Sequence, residues 1–155
     1  MINEKLINPG SIVVIGGSED LLKPGGKVLK NIIDGNFQGE LFVVNPKQDL
    51  IQGVKSYRDI HDIPLADLAI LAIQAKLCLP AVEVLLKDKH TRAFIIISAG
   101  FSESGEEGKI LEREIADMIT QAGGCLIGPN CIGVITRNYN GVFTSPVPRL
   151  DIRGC

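Results

Sequence analysis

Glycines and a lysine follow the first two predicted strands, and they give the sequence its clearest capacity for ligand chemistry. Gly16-Gly17-Ser18 comes directly after the apolar run Ser11–Ile15, and Lys47 lies just beyond the run at residues 41–44. A glycine turn lets backbone N–H groups approach a phosphate. A dinucleotide-binding chain usually has Asp or Glu at the second position, where it holds a ribose diol. A lysine there favours a ligand with a phosphate on its ribose, such as coenzyme A (CoA) or NADP.

The first loop, residues 16–27, contains further groups that suit an anion. Gly25-Gly26 would place a helix N-terminus beside the strand end, and Lys23 and Lys27 would add positive charge. The loop matches neither the strict GxGxxG pattern nor a Walker A loop. A glycine-rich turn that binds nothing is therefore an equal alternative.

Candidates for catalysis or metal binding are few. His61 and His90 lie in charged segments, which favours exposed surface histidines. Cys131 follows a predicted strand end but has no base near it in the sequence, which favours packing over nucleophilic attack. The cysteines form no CxxC pair and match no zinc module. We expect free thiols, no catalytic residue and no metal site.

Length and composition limit the classes of protein to consider. The 155 residues suffice for one domain with a sizeable core, and 45 % of them are hydrophobic. A net charge of −2 argues against a partner such as nucleic acid or an anionic membrane. No run of about 18 apolar residues is present, and the polar N-terminus differs from a signal peptide. We therefore expect a cytoplasmic protein.

Apolar runs alternate with helical patterns along the chain. Strands are predicted at residues 11–16, 41–44, 67–73, 93–98 and 125–127. These runs are nearly continuous in apolar residues, as in strands covered on both faces of a parallel sheet. Helices are predicted at residues 25–35, 77–88 and 103–123, with a short strand near 54–56 and a helical turn at 57–63. The alternation predicts a single α/β domain, a Rossmann-like, doubly wound, mainly parallel sheet with helices on both faces.

The ends of these strands share a composition. In an open α/β sheet the ligand binds beyond the carboxyl ends of the strands. Each predicted end is rich in small residues or turn formers: 16–18, 45–47, 72–75, 98–101 and 128–131. Because these ends share one edge, they predict a groove lined by backbone.

Taken in order, the strand ends resemble a known family. They are similar to the N-terminal CoA-binding domain of the nucleoside-diphosphate-forming acyl-CoA synthetases, which include the succinyl-CoA synthetase α subunit and ADP-forming acetyl-CoA synthetase. The resemblance runs over about residues 8–136. It is carried by GSIVVIGGSED, GELFVVNPK, LADLAILAI, AFIIISAGFSESGEEG and CLIGPNCIGVI.

The resemblance implies where CoA would bind. The loop 16–18 would face the CoA phosphates and nucleotide, and Lys47 would contact a phosphate. Residues 73–74 and 98–99 would border adenosine and pantetheine, and residues 128–130 would lie toward the thiol. The expected CoA-binding residues are Gly16, Gly17, Ser18, Lys23, Gly25, Gly26, Lys47, Ile73, Gln74, Ser98, Ala99, Gly100, Pro129 and Asn130. The sequence departs from the family at Gln74, where proline is common, and the first loop is longer than in the succinate enzyme.

The family's reaction, as the resemblance implies it, passes a phosphate from an acyl phosphate to a histidine and then to a nucleoside diphosphate. That histidine lies in a later domain, and neither His61 nor His90 matches its motif. Residues 1–136 would therefore be the CoA-binding domain of an ADP- or GDP-forming acid–thiol ligase, and not a working enzyme alone. Its expected partners are CoA or acyl-CoA and the remaining domains or a β-type subunit, and a homo-oligomer is left open.

Residues 137–155 contain Pro146 and Pro148 and show no periodicity. They are predicted to form a linker and then, at 150–153, the first strand of a following domain. Two other functions stay open for the whole chain. One is an NADP-binding oxidoreductase fragment, which needs a hydride acceptor that the sequence does not reveal. The other is a stand-alone, non-catalytic CoA- or nucleotide-binding regulatory module.

Overall fold

The computed structural model describes residues 1–147. Pro148, the strand predicted at 150–153 and Cys155 lie outside the described residues. The strands are β1 Ser11–Ile15, β2 Glu40–Val44, β3 Leu50–Ile51, β4 Val54–Tyr57, β5 Leu68–Leu71, β6 Ala93–Ile96, β7 Cys125–Ile127, β8 Gly133–Ile135 and β9 Asn140–Val142. The helices are α1 Glu4–Ile7, α2 Pro24–Asp34, α3 Ala75–Asp88 and α4 Glu106–Gln121, with single 3₁₀ turns at Ile60–Asp62 and Ser102–Ser104.

Seven of these strands form one sheet in the order β3-β4-β2-β1-β5-β6-β7. All neighbours are parallel except β3, which runs antiparallel to β4. The chain moves from β1 to β2 on one side and returns to β5 on the other, so the strand order reverses between β1 and β5. This reversal is the switch point of a doubly wound sheet. The predicted Rossmann-like α/β fold is confirmed.

The sheet is covered on both faces, and its central strands are apolar at every position except Ser11 at the start of β1. In β1, Val13 packs into the core beneath α3 and α4, whereas Val14 packs into the core beneath α2. Successive strand residues point to opposite faces, so a strand buried on both sides has apolar residues on both of its faces. Every residue of β1, β5 and β6 is buried.

The helices begin and end close to the predicted positions, with two differences. Residues 103–123 form a 3₁₀ turn and then α4, because Gly105 lies between them with φ +123°. Helix α3 begins at Ala75, two residues earlier than predicted, so Pro80 falls inside the helix and not in its first turn. Pro80 is exposed, and the helical hydrogen bond that proline cannot donate is therefore lost on the solvent side.

The hairpin β8–β9 packs against α2. The side-chain amide of Asn31 donates to the carbonyl oxygens of Val142 at 2.7 Å and Thr144 at 3.0 Å. Tyr139 is 2 % exposed, and its hydroxyl donates to the carbonyl oxygen of Leu6 at 2.7 Å. The sequence predicted a linker from residue 137, but β9 forms there because Tyr139 and Val142 pack onto the core. A following domain stays a prediction. Within residues 1–147, no helix is long and apolar enough to cross a membrane.

We expect Tyr139→Phe to lower the free energy of unfolding by about 0.5–1.5 kcal/mol, because it removes one buried hydrogen bond and leaves the Leu6 carbonyl without this donor. Urea denaturation followed by circular dichroism measures the difference. Tyr57→Phe is the matched control, since Tyr57 is only half-buried. Equal losses for the two variants would contradict the structural role of the Tyr139 hydroxyl.

Candidate functional site

The carboxyl edge of the sheet is closed by glycines at the switch point. Gly16 directly follows β1 with φ +89°, and a Cβ there would lie 2.5 Å from the carbonyl oxygen of Ala72. A Cβ on Gly25, in the first turn of α2, would lie 2.0 Å from the carbonyl oxygen of Gly16. No side chain fits in either place. The N-terminus of α2 therefore stands directly against the ends of β1 and β5.

Asn45 joins two of the predicted binding segments. Its side-chain amide donates to the carbonyl oxygen of Gly17 at 3.0 Å, and its side-chain oxygen accepts from the backbone N–H of Lys47 at 2.8 Å. The end of β2 is thus tied to the glycine loop, the name used here for residues 16–23. Lys47 is exposed, and its ammonium group makes no ion pair with any carboxylate of residues 1–147. Sequence reasoning missed Asn45, although its place before Lys47 at a strand end was a signal.

A cavity of about 360 Å³ lies beyond the ends of β5 and β6, beside the first turn of α2. This volume lies within the usual range of small-molecule pockets. The lining consists of uncharged residues: Pro24, Ala72, Ile73, Ile97, Ser98, Ala99, Asn130 and Phe143. Four predicted residues therefore meet around one space, namely Ile73, Ser98, Ala99 and Asn130. Phe143 was missed, because it reaches the cavity only through the β8–β9 hairpin.

The other predicted residues do not line this cavity. Gly17, Gly25 and Gly26 are buried in the packing of the glycine loop, and Gly16 and Ser18 are half-buried. The Ser18 hydroxyl accepts from the N–H of Asp20 at 3.0 Å. Gly100 and Pro129 are half-buried beside lining residues, whereas the side chains of Lys23, Lys47 and Gln74 are exposed. Gln74 precedes α3 but makes no side-chain capping bond.

The loop after β6 uses its own carboxylate to hold its backbone. Glu103 accepts hydrogen bonds from the N–H of Gly100 and, at 3.1 Å, from the N–H of Phe101. These bonds, above all the one from Gly100, hold the pKa of the Glu103 carboxyl below its usual value. Glu112 accepts from Ser102 N–H at 3.1 Å in the same way. The N–H of Gly100, a predicted ligand contact, is therefore already paired within the protein.

The thiols of Cys78 and Cys131 offer little reactivity. Burial raises the pKa of Cys78 to about 11 and also raises the pKa of Cys131, whose thiol donates to the carbonyl oxygen of Ile96 at 3.3 Å. Both thiols are therefore protonated at neutral pH. His61 and His90 are exposed, as predicted. Among residues 1–147, no group of three or more His, Cys, Asp or Glu side chains could hold a metal ion.

A larger cavity, of about 470 Å³, lies between the C-terminal ends of α3 and α4. Those helix ends are at the amino edge of the sheet, away from the glycine loop. The guanidinium of Arg92 borders this cavity but already donates to the carbonyl oxygens of Leu86 and Thr91. Ligands of open α/β sheets bind at the carboxyl edge, so the smaller cavity is the candidate site.

Comparison with known protein families finds one match that spans most of the chain. The model described as a CoA binding domain matches residues 10–137. This range includes all five predicted strand ends, the glycine loop and Lys47.

The curated relatives include archaeal ligases. The α subunit of ADP-forming acetate–CoA ligase II of Pyrococcus furiosus is 38 % identical over 135 residues, which are 86 % of this chain and 29 % of that protein. The ADP-forming acetate–CoA ligase I of Archaeoglobus fulgidus is 39 % identical over 148 residues, 94 % of this chain and 21 % of that protein. The chain thus spans less than a third of the length of these relatives.

Two solved structures share the fold closely. A crystal structure of a Pyrococcus horikoshii protein superposes with a TM-score of 0.84 at 35 % identity, covering 93 % of this chain and 33 % of the other. The acetyl-coenzyme A synthetase 1 of Ca. Korarchaeum cryptofilum was solved with phosphate and ADP. It superposes with a TM-score of 0.82 at 29 % identity, covering 90 % of this chain and 30 % of the other.

The Glu103 interaction predicts a pH-dependent stability. A lowered pKa in the folded state means that the ionised carboxylate stabilises the fold above the ordinary pKa of about 4.3, and that this contribution disappears as the pH falls through the lowered pKa. We expect Glu103→Gln to lower the melting temperature at pH 6.5, and this deficit to shrink in increasingly acidic buffer. Differential scanning calorimetry across pH 2.5–7 measures it. Glu114→Gln, on the exposed side of α4, is the control, and a deficit that grows toward acid pH would contradict the assignment.

Proposed function

Since the chain belongs to the family of CoA binding domains, we propose that it binds coenzyme A along the carboxyl edge of its sheet. The observation that carries the proposal is the switch-point arrangement. Backbone-lined glycine turns and the N-terminus of α2 lie beside a cavity without charged lining, and an exposed lysine stands at the neighbouring strand end. CoA has the corresponding parts, a pyrophosphate, a neutral pantetheine arm and a 3′-phosphate.

The phosphate part of CoA is assigned to the glycine loop. Gly17 and Ser18 bring backbone N–H groups to the edge, whereas the N–H of Gly16 already donates to the carbonyl oxygen of Val44 at 3.0 Å, so Gly16 shapes the turn. Gly25-Gly26 lie in the first turn of α2, whose dipole favours an anion. Lys23 adds a positive charge next to this helix. Lys47, fixed through its backbone by Asn45, is assigned to the 3′-phosphate, because an ammonium can pair with a phosphate but cannot accept from a ribose diol.

The pantetheine arm is assigned to the cavity. Ile73 offers apolar surface, while Ser98 and Asn130 offer side-chain groups that can pair with amides of the arm. Gln74, Ala99, Gly100 and Pro129 border the same space. A neutral arm suits this lining because no buried charge is left without a partner.

The parent activity that we propose is that of an ADP-forming acyl-CoA ligase, in which this chain supplies the CoA site. The relatives with this name are three to five times longer than the matched segment. We therefore assign the acyl-phosphate and phosphohistidine chemistry to further domains or to a β-type subunit. CoA is a substrate in such a reaction, since its thiol becomes acylated.

Isothermal titration calorimetry with the 155-residue chain tests the proposal. We expect CoA to bind more tightly than dephospho-CoA, and Lys47→Ala to weaken CoA binding by about 1–3 kcal/mol, the range of a charge-assisted hydrogen bond. Dephospho-CoA binding should be nearly unaffected by the substitution. Lys87→Ala is the matched control, because Lys87 is an exposed lysine near the end of α3, at the opposite edge of the sheet.

Each other result has a defined meaning. Equal affinities for CoA and dephospho-CoA would remove the role of Lys47 but leave CoA binding intact. Tight binding of NADPH without CoA would favour the oxidoreductase alternative. Binding of neither ligand by a folded chain would contradict the proposed function.

A further inference from the structure

The turn between β3 and β4 lies against the glycine loop, although nothing in the sequence marked it as part of a site. Ile51 pairs with Val54, so the turn consists only of Gln52 and Gly53. Both have left-handed backbone conformations, with φ +50° and +77°. Two left-handed residues form the turn that best matches the twist of a hairpin. Glutamine is unusual in the first of these positions, and the contacts of its side chain account for its presence there.

The Gln52 side chain connects the glycine loop to the first turn of α2. Its amide nitrogen donates to the carbonyl oxygen of Ser18 at 2.9 Å and to that of Gly26 at 2.9 Å. Both amide hydrogens are therefore used, one by the glycine loop and one by the first turn of α2. The backbone N–H of Gln52 also donates to the carboxylate of Glu19 at 2.5 Å.

The core fixes this side chain relative to α2. Ile51, the residue before Gln52, is fully buried and belongs to the same apolar cluster as Val28 and Leu29 of α2. The hairpin and the helix therefore form one packed unit. Gln52 is half-buried, and its position cannot change without repacking Ile51.

The bond to Ser18 determines the orientation of a peptide group. A trans peptide is planar, with its C=O and N–H on opposite sides. Since the Ser18 carbonyl points to Gln52, the N–H of Glu19 points away from Gln52. Without this bond, the carbonyl oxygen would be free to turn toward a bound phosphate, where it would repel the anion.

We infer that Gln52 is a positioning residue, which orients the glycine loop so that backbone N–H groups and not carbonyl oxygens face the CoA phosphates. The inference rests on the proposed function, because it needs a phosphate at this loop. The inference gives a role to a residue of the β3–β4 turn, which lies outside the glycine loop and outside the cavity lining. Gln52 does not itself need to touch the ligand.

Two substitutions test the side-chain amide of Gln52 separately from the backbone conformation of its turn. Asparagine tolerates the left-handed conformation, so Gln52→Asn keeps the turn but shortens the side chain by one methylene. Gln52→Glu keeps the length, but an ionised carboxylate cannot donate to either carbonyl. Gln38→Asn is the matched control, because Gln38 is exposed and its amide donates to the nearby Asn36 carbonyl, away from the glycine loop.

We expect both Gln52 variants to bind CoA about ten-fold more weakly than the unsubstituted chain, as calorimetry measures it, with Gln38→Asn unchanged. In the ¹H–¹⁵N spectrum without ligand, the Glu19 amide resonance should move in both variants, while resonances of α4 stay in place. A purely stabilising role would lower the melting temperature without moving the Glu19 resonance. If Gln52→Glu does not fold, Gln52→Asn decides the question.

The outcomes distinguish this inference from the proposed function. CoA affinity within two-fold of the unsubstituted chain in a folded Gln52→Asn variant would overturn the inference alone. Weaker binding with an unmoved Glu19 resonance would overturn it too, because the loop orientation would then not be the cause. Absence of CoA binding by the unsubstituted chain would overturn the proposed function, and this use of Gln52 with it.

Discussion

The close approach of α2 to the ends of β1 and β5 is the constraint on which the carboxyl edge depends. A Cβ at Gly25 or Gly16 would lie within 2.5 Å of a carbonyl oxygen, so the chain must have glycine at these positions. The approach places a helix N-terminus at the reversal of the strand order. It also leaves the space between Pro24 and Ile73 open on one side, and this space becomes the cavity.

The loops around this edge are held by polar side chains of the protein. Asn45 holds Gly17, Gln52 holds Ser18 and Gly26, and Glu103 holds Gly100 and Phe101. In each case a side chain pairs with backbone groups of a loop or, for Gly26, of the first turn of a helix. Asn45 and Gln52 bind carbonyl oxygens, which suits a loop whose N–H groups are proposed to meet phosphate. Glu103 instead accepts from backbone N–H groups, so the loop after β6 offers a ligand fewer free donors.

The β8–β9 hairpin adds the last wall of the cavity. Its strands are only three residues long, so contacts elsewhere must hold it. Asn31 of α2 binds two of its carbonyl oxygens, and Tyr139 reaches across to Leu6 of α1. These contacts carry Phe143 to the cavity. The site is therefore built from segments at both ends of the described chain.

The sequence by itself determined the fold class and the edge at which the candidate site lies. Continuous runs of Ile, Leu and Val identify strands buried on both faces, and alternation with helices requires parallel strands whose ends share one edge. Only the tertiary structure decided which residues from the strand ends come together around the cavity. β3 was missed because two residues carry no periodic signal, and the roles of Asn45, Gln52 and Phe143 depend on partners from other elements. Periodicity reports which face a residue buries, but hydrogen bonds between distant loops leave no such pattern in the sequence.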